Sequence, residues 1–312
     1  MHAWEQIQKT VDYIEENMSE EIKIETLANM AGLSQFYFQR LFKRLVKLTV
    51  NQYIKLRRLA KASEVLREDG DKRIIDIALD FGFSSHETFT RSFKDVYGMT
   101  PDKYRTAPVR LNHISKPELL LNYTMIDENV PLITDSIVLE IKRKKLNVPE
   151  KYIGLSAQVS ISQAPVGEAA GVDVPGQLWD SFHKRKSDIS SLSSHGIEVG
   201  VSMMDDTEKG TFTYFAGGSA KSNTSSNNEL TAWELPAADY VVCCFEAENF
   251  DELTTSALGK AMNYLLGTWL AKRGLTTQPF SVEKYFKATE ELAYMEIWVI
   301  PVPMENVCNK SE

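Results

Sequence analysis

The sequence is poor in the features that mark secreted, membrane and metal-dependent proteins. Three cysteines in 312 residues exclude a disulfide framework and favour a reducing bacterial cytoplasm. No apolar run reaches the roughly 18 residues that a membrane span needs, and no basic segment leads into an apolar one at the N-terminus, so no signal peptide is predicted. The five histidines lack metal-ligand spacing, and no phosphate-binding glycine loop occurs. We therefore expect no metal, no cofactor and no membrane partner.

Length and charge together indicate two unlike halves. A chain of 312 residues exceeds one comfortable hydrophobic core, so two domains are expected. The net charge of −8 hides a basic segment, because residues 34–110 carry 16 Lys and Arg against 9 Asp and Glu, whereas residues 111–312 carry 17 against 27. A localised basic excess suits contact with phosphates. The acidic half suits general solubility or a cationic ligand.

Apolar spacing in the first part of the chain predicts a pair of helices that occurs twice. A short helix over 24–30, a tight turn and a helix beginning at Ser34 form the first pair. A short helix over 74–81, another turn and a helix beginning at about Ser85 form the second. A helix, a tight turn and a second helix with a basic outer face are typical of a helix-turn-helix unit.

A single helix is predicted to join the two units. The capping box Thr49-Val-Asn-Gln52 starts this helix and Asp69-Gly70-Asp71 ends it, which gives about 20 residues or roughly 30 Å. One turn of B-DNA is about 34 Å, so one chain could place both units in successive major-groove segments. We expect a monomer on DNA that reads one asymmetric site.

Beyond Arg110 the character of the sequence changes. Alternating, β-rich stretches are interrupted by two predicted helices, at about 176–189 and 251–273, so that strand, helix and strand pair occur twice. The predicted fold is therefore multidomain. It comprises an all-α double helix-turn-helix domain over 1–107, a linker over 108–144, an α+β domain with a pseudo-duplicated antiparallel sheet and two helices over 145–304, and a tail over 305–312.

Residues spaced through 5–106 carry a family resemblance. They are Leu27-Ala28, Ser34, Leu41-Phe42-Lys43, Tyr53-Ile54, Arg57, Ile77-Ala78, Gly82-Phe83, Phe89, Arg91, Phe93-Lys94, Gly98, Thr100-Pro101 and Tyr104-Arg105. This pattern resembles the DNA-binding domain of the AraC/XylS family in its MarA/Rob-like form. The resemblance implies a sequence-specific transcription regulator that binds double-stranded DNA, with RNA polymerase as a further candidate partner.

The same resemblance implies which side chains meet DNA. Base contacts are expected from Phe36, Gln39 and Arg40 in the first unit and from Glu87, Thr88 and Arg91 in the second. Arginine can chelate guanine, glutamine can pair with adenine, and phenylalanine or threonine can touch a thymine methyl. Glu87 is a departure, because glutamine is more usual there, and its target base stays open. Phosphate contacts are expected from Gln35, Lys43, Arg44, Arg57, His86 and Lys94, with a plain solvent-facing position as an equal alternative for His86.

The second half carries a separate resemblance over about 145–303. Its segments are Leu178–Phe182, Gly196–Val201, Phe212–Gly217, Glu283–Tyr285 and Met295–Pro301, and together they resemble the GyrI-like effector-binding domain. The resemblance implies a ligand cleft, with Trp179, Phe182, Tyr214, Trp269, Tyr285, Glu296 and Trp298 as candidate contacts. A carboxylate among aromatic rings favours an amphipathic or aromatic effector, including a cationic one. The alternative is a surface glutamate and ordinary core aromatics.

Three functions remain open from the sequence. The first is an effector-controlled regulator, and the second is a constitutive DNA-binding protein whose second half docks a protein partner. The third is a GyrI-like hydrolase, which we do not expect because no nucleophile elbow or acid–base dyad is visible. A redox switch at Cys243-Cys244 is a weaker hypothesis than a core position, since neighbouring strand residues face opposite sides.

Overall fold

A computed structural model describes residues 2–134, 137–161, 170–193, 196–206, 210–221, 230–286 and 293–304. The chain divides into two compact units. The helical unit comprises residues 1–120 and 166–173, and the sheet unit comprises residues 121–165 and 174–312. None of the helices in the described part of the chain is both long and apolar enough to span a bilayer.

In its described residues, the helical unit contains seven helices. They are α1 (Ala3–Glu16), α2 (Ile24–Met30), α3 (Gln35–Val46), α4 (Val50–Glu68), α5 (Ile74–Asp80), α6 (His86–Tyr97) and α7 (Pro101–Thr106). The pairs α2–α3 and α5–α6 form the first and second helix-turn-helix units, as the sequence predicts. Each pair turns at a glycine in the left-handed region, Gly32 with φ 66° and Gly82 with φ 68°, which a residue with a Cβ adopts only under strain.

Each helix-turn-helix unit has its own hydrophobic core, and α4 contributes to both. Val50, Tyr53 and Ile54 at the start of α4 pack into the first core. Leu59 and Leu66 further along α4 pack into the second. A single helix therefore packs against both helix-turn-helix units, one on each of its halves.

The residues after α7 differ from the linker predicted over 108–144. Strand β1 (Leu111–Asn112) pairs with β5 (Gly171–Val172), and both belong to the helical unit. Strand β3 (Ile137–Leu146) is an interior strand of the sheet unit. Prolines at the start of this segment suggest a flexible connection, so the sequence does not reveal how much of it is ordered. The strand that pairs with β3 lies about a hundred residues later in the chain, beyond the reach of local patterns.

A nine-stranded sheet is the main element in the described part of the sheet unit. Beside β3, its strands are β2 (Leu132–Thr134), β4 (Glu150–Ser160), β6 (Glu198–Asp206), β7 (Thr211–Ser219), β8 (Thr231–Leu235), β9 (Ala238–Ala247), β11 (Phe280–Tyr285) and β12 (Ala293–Val299). They lie in the order β2-β3-β9-β12-β11-β6-β7-β4-β8. A separate pair joins β10 (Leu275–Thr277) to β13 (Pro301–Pro303). The pairings are antiparallel, as predicted.

Two equivalent halves meet at the centre of the sheet. The first half runs β4, helix α8 (Val174–Arg185), β6 and β7. The second half begins with β9 and ends with β11 and β12. Between them lies a helical run made of α9 (Phe250–Glu252), a π-helical turn Leu253–Ala257, α10 (Leu258–Asn263) and a second π-helical turn Tyr264–Leu270. Short 3-10 turns lie at Leu119–Asn122 and Lys186–Asp188. Because β6 and β11 pair antiparallel, the halves are related by a pseudo-two-fold axis, which confirms the predicted duplicated α+β fold.

The two faces of the sheet differ. On the helix face, α8 packs on β4 and β7, and the α9–α10 run packs on β9 and β12. On the other face, Lys284 of β11 forms an ion pair of 2.6 Å with Glu150 of β4. Strands β6 and β7 lie between them, which would separate β11 from β4 by about 14 Å in a flat sheet. The sheet therefore curls strongly, and we name this second face the concave face.

Candidate DNA interface and effector site

The outer face of α3 presents the predicted base contacts of the first helix-turn-helix unit. Ser34 caps the helix by accepting a hydrogen bond of 3.3 Å from the backbone N–H of Tyr37. Phe36, Gln39 and Arg40 are exposed, while the opposite side of the helix is buried in the first core. Phe36 is 76 % exposed. A phenyl ring so far out of the core contributes little to folding, so its position favours contact with a binding partner.

The outer face of α6 repeats this arrangement in the second unit. Its cap is Ser85, which accepts from the backbone N–H of Thr88 at 3.2 Å. Glu87, Thr88 and Arg91 are exposed. A hydrogen bond from Ser85, followed by one from its own backbone, lowers the pKa of Glu87. Glu87 is therefore ionised at neutral pH and can accept a hydrogen bond but cannot donate one.

Five of the six predicted phosphate contacts also lie on exposed positions. Gln35, Lys43, Arg44, His86 and Lys94 are all on the outer surfaces of α3 and α6. Their exposure is compatible with the phosphate contacts predicted for them.

Arg57, the sixth, has a different environment. Its Nε and Nη2 atoms donate to both oxygens of Glu15 at 2.8 and 2.7 Å, and its Nη1 donates to the carbonyl of Ile114 at 2.7 Å. The side chain is only 13 % exposed. This environment favours a structural role over the phosphate contact predicted for Arg57, because a guanidinium that is buried and engaged in this way holds α4 to α1.

The seven effector candidates of the sheet unit do not form one cluster. Trp179, Phe182, Tyr214 and Tyr285 meet on the helix face beneath α8. Trp269 belongs to the other helical run, in the turn Tyr264–Leu270, and its indole donates to the carbonyl of Ile126 at 3.1 Å. Strand alternation places the remaining two, Glu296 and Trp298, on the concave face, as the next contacts show.

A buried carboxylate that sequence reasoning did not select lies in the first cluster. Glu283 is 6 % exposed, and its Oε2 accepts from the phenol groups of Tyr214 and Tyr285 at 2.9 and 2.7 Å. The indole of Trp179 donates to Tyr214 Oη at 3.1 Å and packs edge-on against Tyr285 at 4.9 Å between ring centroids. Gly200 leaves room here, because a Cβ on it would lie 2.3 Å from Tyr214 Oη.

The tyrosines of this cluster keep their protons. Burial first and the charge of Glu283 second raise the pKa of both Tyr214 and Tyr285 well above its usual value. Both phenols therefore act as neutral donors to Glu283 at neutral pH. The cluster thus combines one carboxylate with three aromatic side chains, a chemistry suited to organic cations.

Glu296 has an ionic partner of its own on the concave face. Its Oε1 accepts from the Lys144 ammonium at 2.6 Å and from Tyr294 at 2.5 Å, and its Oε2 accepts from the Trp298 indole at 2.7 Å. Burial alone would raise the pKa of Glu296, but these bonds, with Lys144 foremost, lower it overall. Glu296 thus shares one face of β12 with Tyr294 and Trp298, and this face is opposite to that of Trp179.

Comparisons with known proteins match both units. A family described as a helix-turn-helix domain matches residues 27–107, and one described as an integron-associated effector binding protein matches residues 168–302. The probable transcription factor PqrA of Proteus vulgaris is 47 % identical over 87 residues, which are 28 % of this chain and 70 % of that protein. The regulatory protein SoxS of Salmonella typhimurium is 36 % identical over 99 residues, which are 32 % of this chain and 92 % of that protein.

The chain belongs to the AraC/XylS family. It is a DNA-binding transcription regulator with an effector-binding-like C-terminal domain. The uncharacterized HTH-type transcriptional regulator YbfP of Bacillus subtilis is 45 % identical over 106 residues, 34 % of this chain, and the match spans only 36 % of YbfP. These three relatives match over about a third of this chain, a length close to that of the DNA-binding domain.

The cysteines of this AraC-family regulator favour the core position over the redox switch. Cys243 and Cys244 are both buried, and burial raises the pKa of the Cys243 thiol. A thiol held protonated is a poor nucleophile. Cys308 lies outside the described residues. Within the described ranges, no group of three or more His, Cys, Asp and Glu side chains could hold a metal ion.

Proposed function

We propose that one chain reads an asymmetric DNA site by placing α3 and α6 in two successive major-groove segments. The observation that carries this proposal is the repeat of one layout along the chain. Helices α3 and α6 each have 12 residues, a serine cap and an exposed outer face, and the 19-residue helix α4 lies between them. At 1.5 Å per residue α4 spans roughly 28 Å, close to one turn of B-DNA at about 34 Å.

Each exposed side chain on α3 and α6 suits a particular kind of DNA contact. Arg40 and Arg91 are suited to guanine, Gln39 to adenine, and Phe36 and Thr88 to the thymine methyl. Glu87 is suited to cytosine N4, since an ionised carboxylate can only accept. Gln35, Lys43, Arg44, His86 and Lys94 would meet phosphates, which fixes register without reading sequence.

DNA selection followed by substitution tests the proposal. A duplex is first selected by the full-length chain from a random pool of about 30 base pairs. Arg40→Ala and Arg91→Ala should each weaken binding to it by about 1–3 kcal/mol and relax preference at one position each. Lys43→Ala is the matched control, because it should weaken selected and random DNA equally. Equal losses on both DNAs for Arg40→Ala would mean that Arg40 meets only phosphate.

We further infer that an amphipathic cation bound near Glu283 controls DNA binding. The support is the buried carboxylate with Tyr214, Tyr285 and Trp179 around it, in a domain matched by an effector-binding family. A ligand cation at this carboxylate would gain both charge and cation–π stabilisation in a desolvated site. YbfP, PqrA and SoxS are named as a transcriptional regulator, a probable transcription factor and a regulatory protein. We therefore propose a regulator without catalytic activity that works in the bacterial cytoplasm, with RNA polymerase as a candidate partner.

Two matched glutamates test the effector site. Tetraphenylphosphonium serves as the cationic probe and triphenylphosphine oxide as the neutral one, with binding measured by calorimetry on the full chain. Glu283→Gln should weaken binding of the cation about tenfold, worth about 1.4 kcal/mol, and leave the neutral probe unchanged. Glu296→Gln should leave both affinities unchanged, since Glu296 lies on the concave face. A loss of cation affinity in Glu296→Gln and not in Glu283→Gln would contradict the assignment.

A further inference from the structure

Arg58 bridges the two helix-turn-helix units from the middle of α4. Its Nε donates to the carbonyl of Met18 at 2.9 Å and its Nη2 donates to that of Glu20 at 2.6 Å. Its Nη1 donates to the carbonyl of Gly82 at 2.9 Å. Met18 belongs to the core of the first unit, and Glu20 follows it in the segment before α2. Gly82 is the turn residue of the second unit, so one guanidinium joins the segment that leads into the first unit to the turn of the second.

The turn of the second unit is shaped to admit this guanidinium. A Cβ built on Gly82 would lie 2.6 Å from Cζ of Arg58, closer than real Cβ atoms approach other heavy atoms. A Cβ on Gly32, the equivalent glycine of the first unit, would meet nothing within 4 Å. Both glycines have the same left-handed backbone. The two turns therefore differ in that the glycine of the second unit also makes room for Arg58.

The two helix-turn-helix units do not fill the space between them near Arg58. A groove of about 510 Å³ opens here, and Glu20, Ile54, Arg58, Phe83 and Thr88 are among its lining residues. The two hydrophobic cores are separate clusters. Where side chains do not interdigitate across a boundary, directional hydrogen bonds contribute more to the relative orientation of the two bodies.

We propose that Arg58 is a positioning residue that fixes the angle and distance between α3 and α6 and thereby sets the spacing of the two DNA segments that the protein accepts. The proposal rests on the proposed reading of DNA by both helices. A guanidinium is suited to this role because its donors point outward in a rigid planar fork, which can bind carbonyls from separate segments at once. A lysine ammonium concentrates its donors on one atom and cannot reproduce that span.

The test measures spacing preference with Arg58→Lys, which keeps the positive charge. Binding is measured to the selected duplex and to versions with one base pair added or removed between the two segments, a shift of about 3.4 Å and about 34°. The native protein should lose about 100-fold on either altered duplex, because the contacts of one helix are misplaced. Arg58→Lys should lose less than about tenfold on the altered duplexes, and its salt dependence should match that of the native protein.

A glycine pair gives the same test without changing Arg58. Gly82→Ala forces the guanidinium away, whereas Gly32→Ala carries the same backbone strain of about 1 kcal/mol with no such contact. Gly82→Ala should relax the spacing preference as Arg58→Lys does, and Gly32→Ala should retain it. Thermal unfolding of each variant identifies any that is unfolded at the assay temperature. The spacing preferences of the folded variants then test the role of Arg58.

Two results would overturn the proposal. Native spacing preference in folded Arg58→Lys and Gly82→Ala would show that Arg58 does not set the spacing. An unchanged spacing penalty, with a salt slope lowered by about one unit when Arg58→Ala removes the charge, would show instead that Arg58 meets a phosphate. If α3 and α6 do not contact DNA bases at all, Arg40→Ala and Arg91→Ala will bind the selected duplex as tightly as the native protein. This result separates a failure of the proposed function from a failure of the role given to Arg58.

Discussion

Replacing Arg57 by alanine should destabilise the helical unit without changing its electrostatic attraction to DNA. The substitution leaves Glu15, whose side chain is 14 % exposed, without its bidentate partner. Removing one member of a buried ion pair costs about 3–5 kcal/mol, because the remaining charge is desolvated and unpaired. Tyr53 still donates to Glu15, so we expect the lower end, about 3 kcal/mol of unfolding free energy.

Urea unfolding followed by far-ultraviolet circular dichroism measures this loss. Lys43→Ala is the control, because a substitution at an exposed position away from such contacts usually changes stability by less than about 0.5 kcal/mol. The same two variants are compared in DNA binding across a salt series. Lys43→Ala should lower the slope of log affinity against log salt by about 0.9, and Arg57→Ala should leave it unchanged.

The opposite pattern would refute the assignment of Arg57. Stability of Arg57→Ala within about 0.5 kcal/mol of the native value would mean that the ion pair with Glu15 contributes little. A salt slope lowered to the same extent as in Lys43→Ala would place Arg57 at a phosphate after all.

Three further predictions concern stability. Burial first, with the charge of Arg57 adding to it, lowers the pKa of His113 to about 4, against about 6.5 when unfolded. Since the unfolded chain then takes up a proton that the folded chain does not, the helical unit should lose about 2 kcal/mol between pH 7 and pH 5, and His113→Gln should abolish that dependence in urea unfolding. Glu296→Gln should lower the unfolding free energy of the sheet unit by about 2 kcal/mol, because the partly exposed Lys144 loses its charged partner, and an unchanged melting temperature would count against the pair. Ser34→Ala and Ser85→Ala should each cost about 1 kcal/mol through loss of a helix cap, and helix content that melts at the native temperature in both variants would show that neither cap contributes.

The helical unit could be predicted closely because its signals are local. Helical spacing, the capping serine of α3 and the two turn glycines lie within a few residues of the features they determine. The second cap shows the limit of this reasoning, since Ser84 with Glu87 also fits a capping box, while the structure uses Ser85. Arg57 shows a different limit. Its partner Glu15 lies 42 positions away, and no local pattern separates a structural arginine from a phosphate contact.

The effector candidates could not be grouped from the sequence because their grouping depends on strand pairing. Alternation places Glu296 with Tyr294 and Trp298, but it does not say which face of the sheet meets α8. The same alternation places Glu283 on one face with Tyr285, because the two are two residues apart on one strand, so Glu283 could have been selected from the sequence. Its neighbours Tyr214 and Trp179 are brought to it by the pairing of β6 with β7 and β11 and by the packing of α8.

The stoichiometry of the complex tests the central claim most directly. The full chain is titrated onto the selected duplex and the mass of the complex is measured by analytical ultracentrifugation, with protected bases mapped by footprinting. We expect one chain on an asymmetric site, with protection of two adjacent major-groove segments about one turn apart. Two chains on a palindromic duplex, each protecting a single major-groove segment, would contradict it.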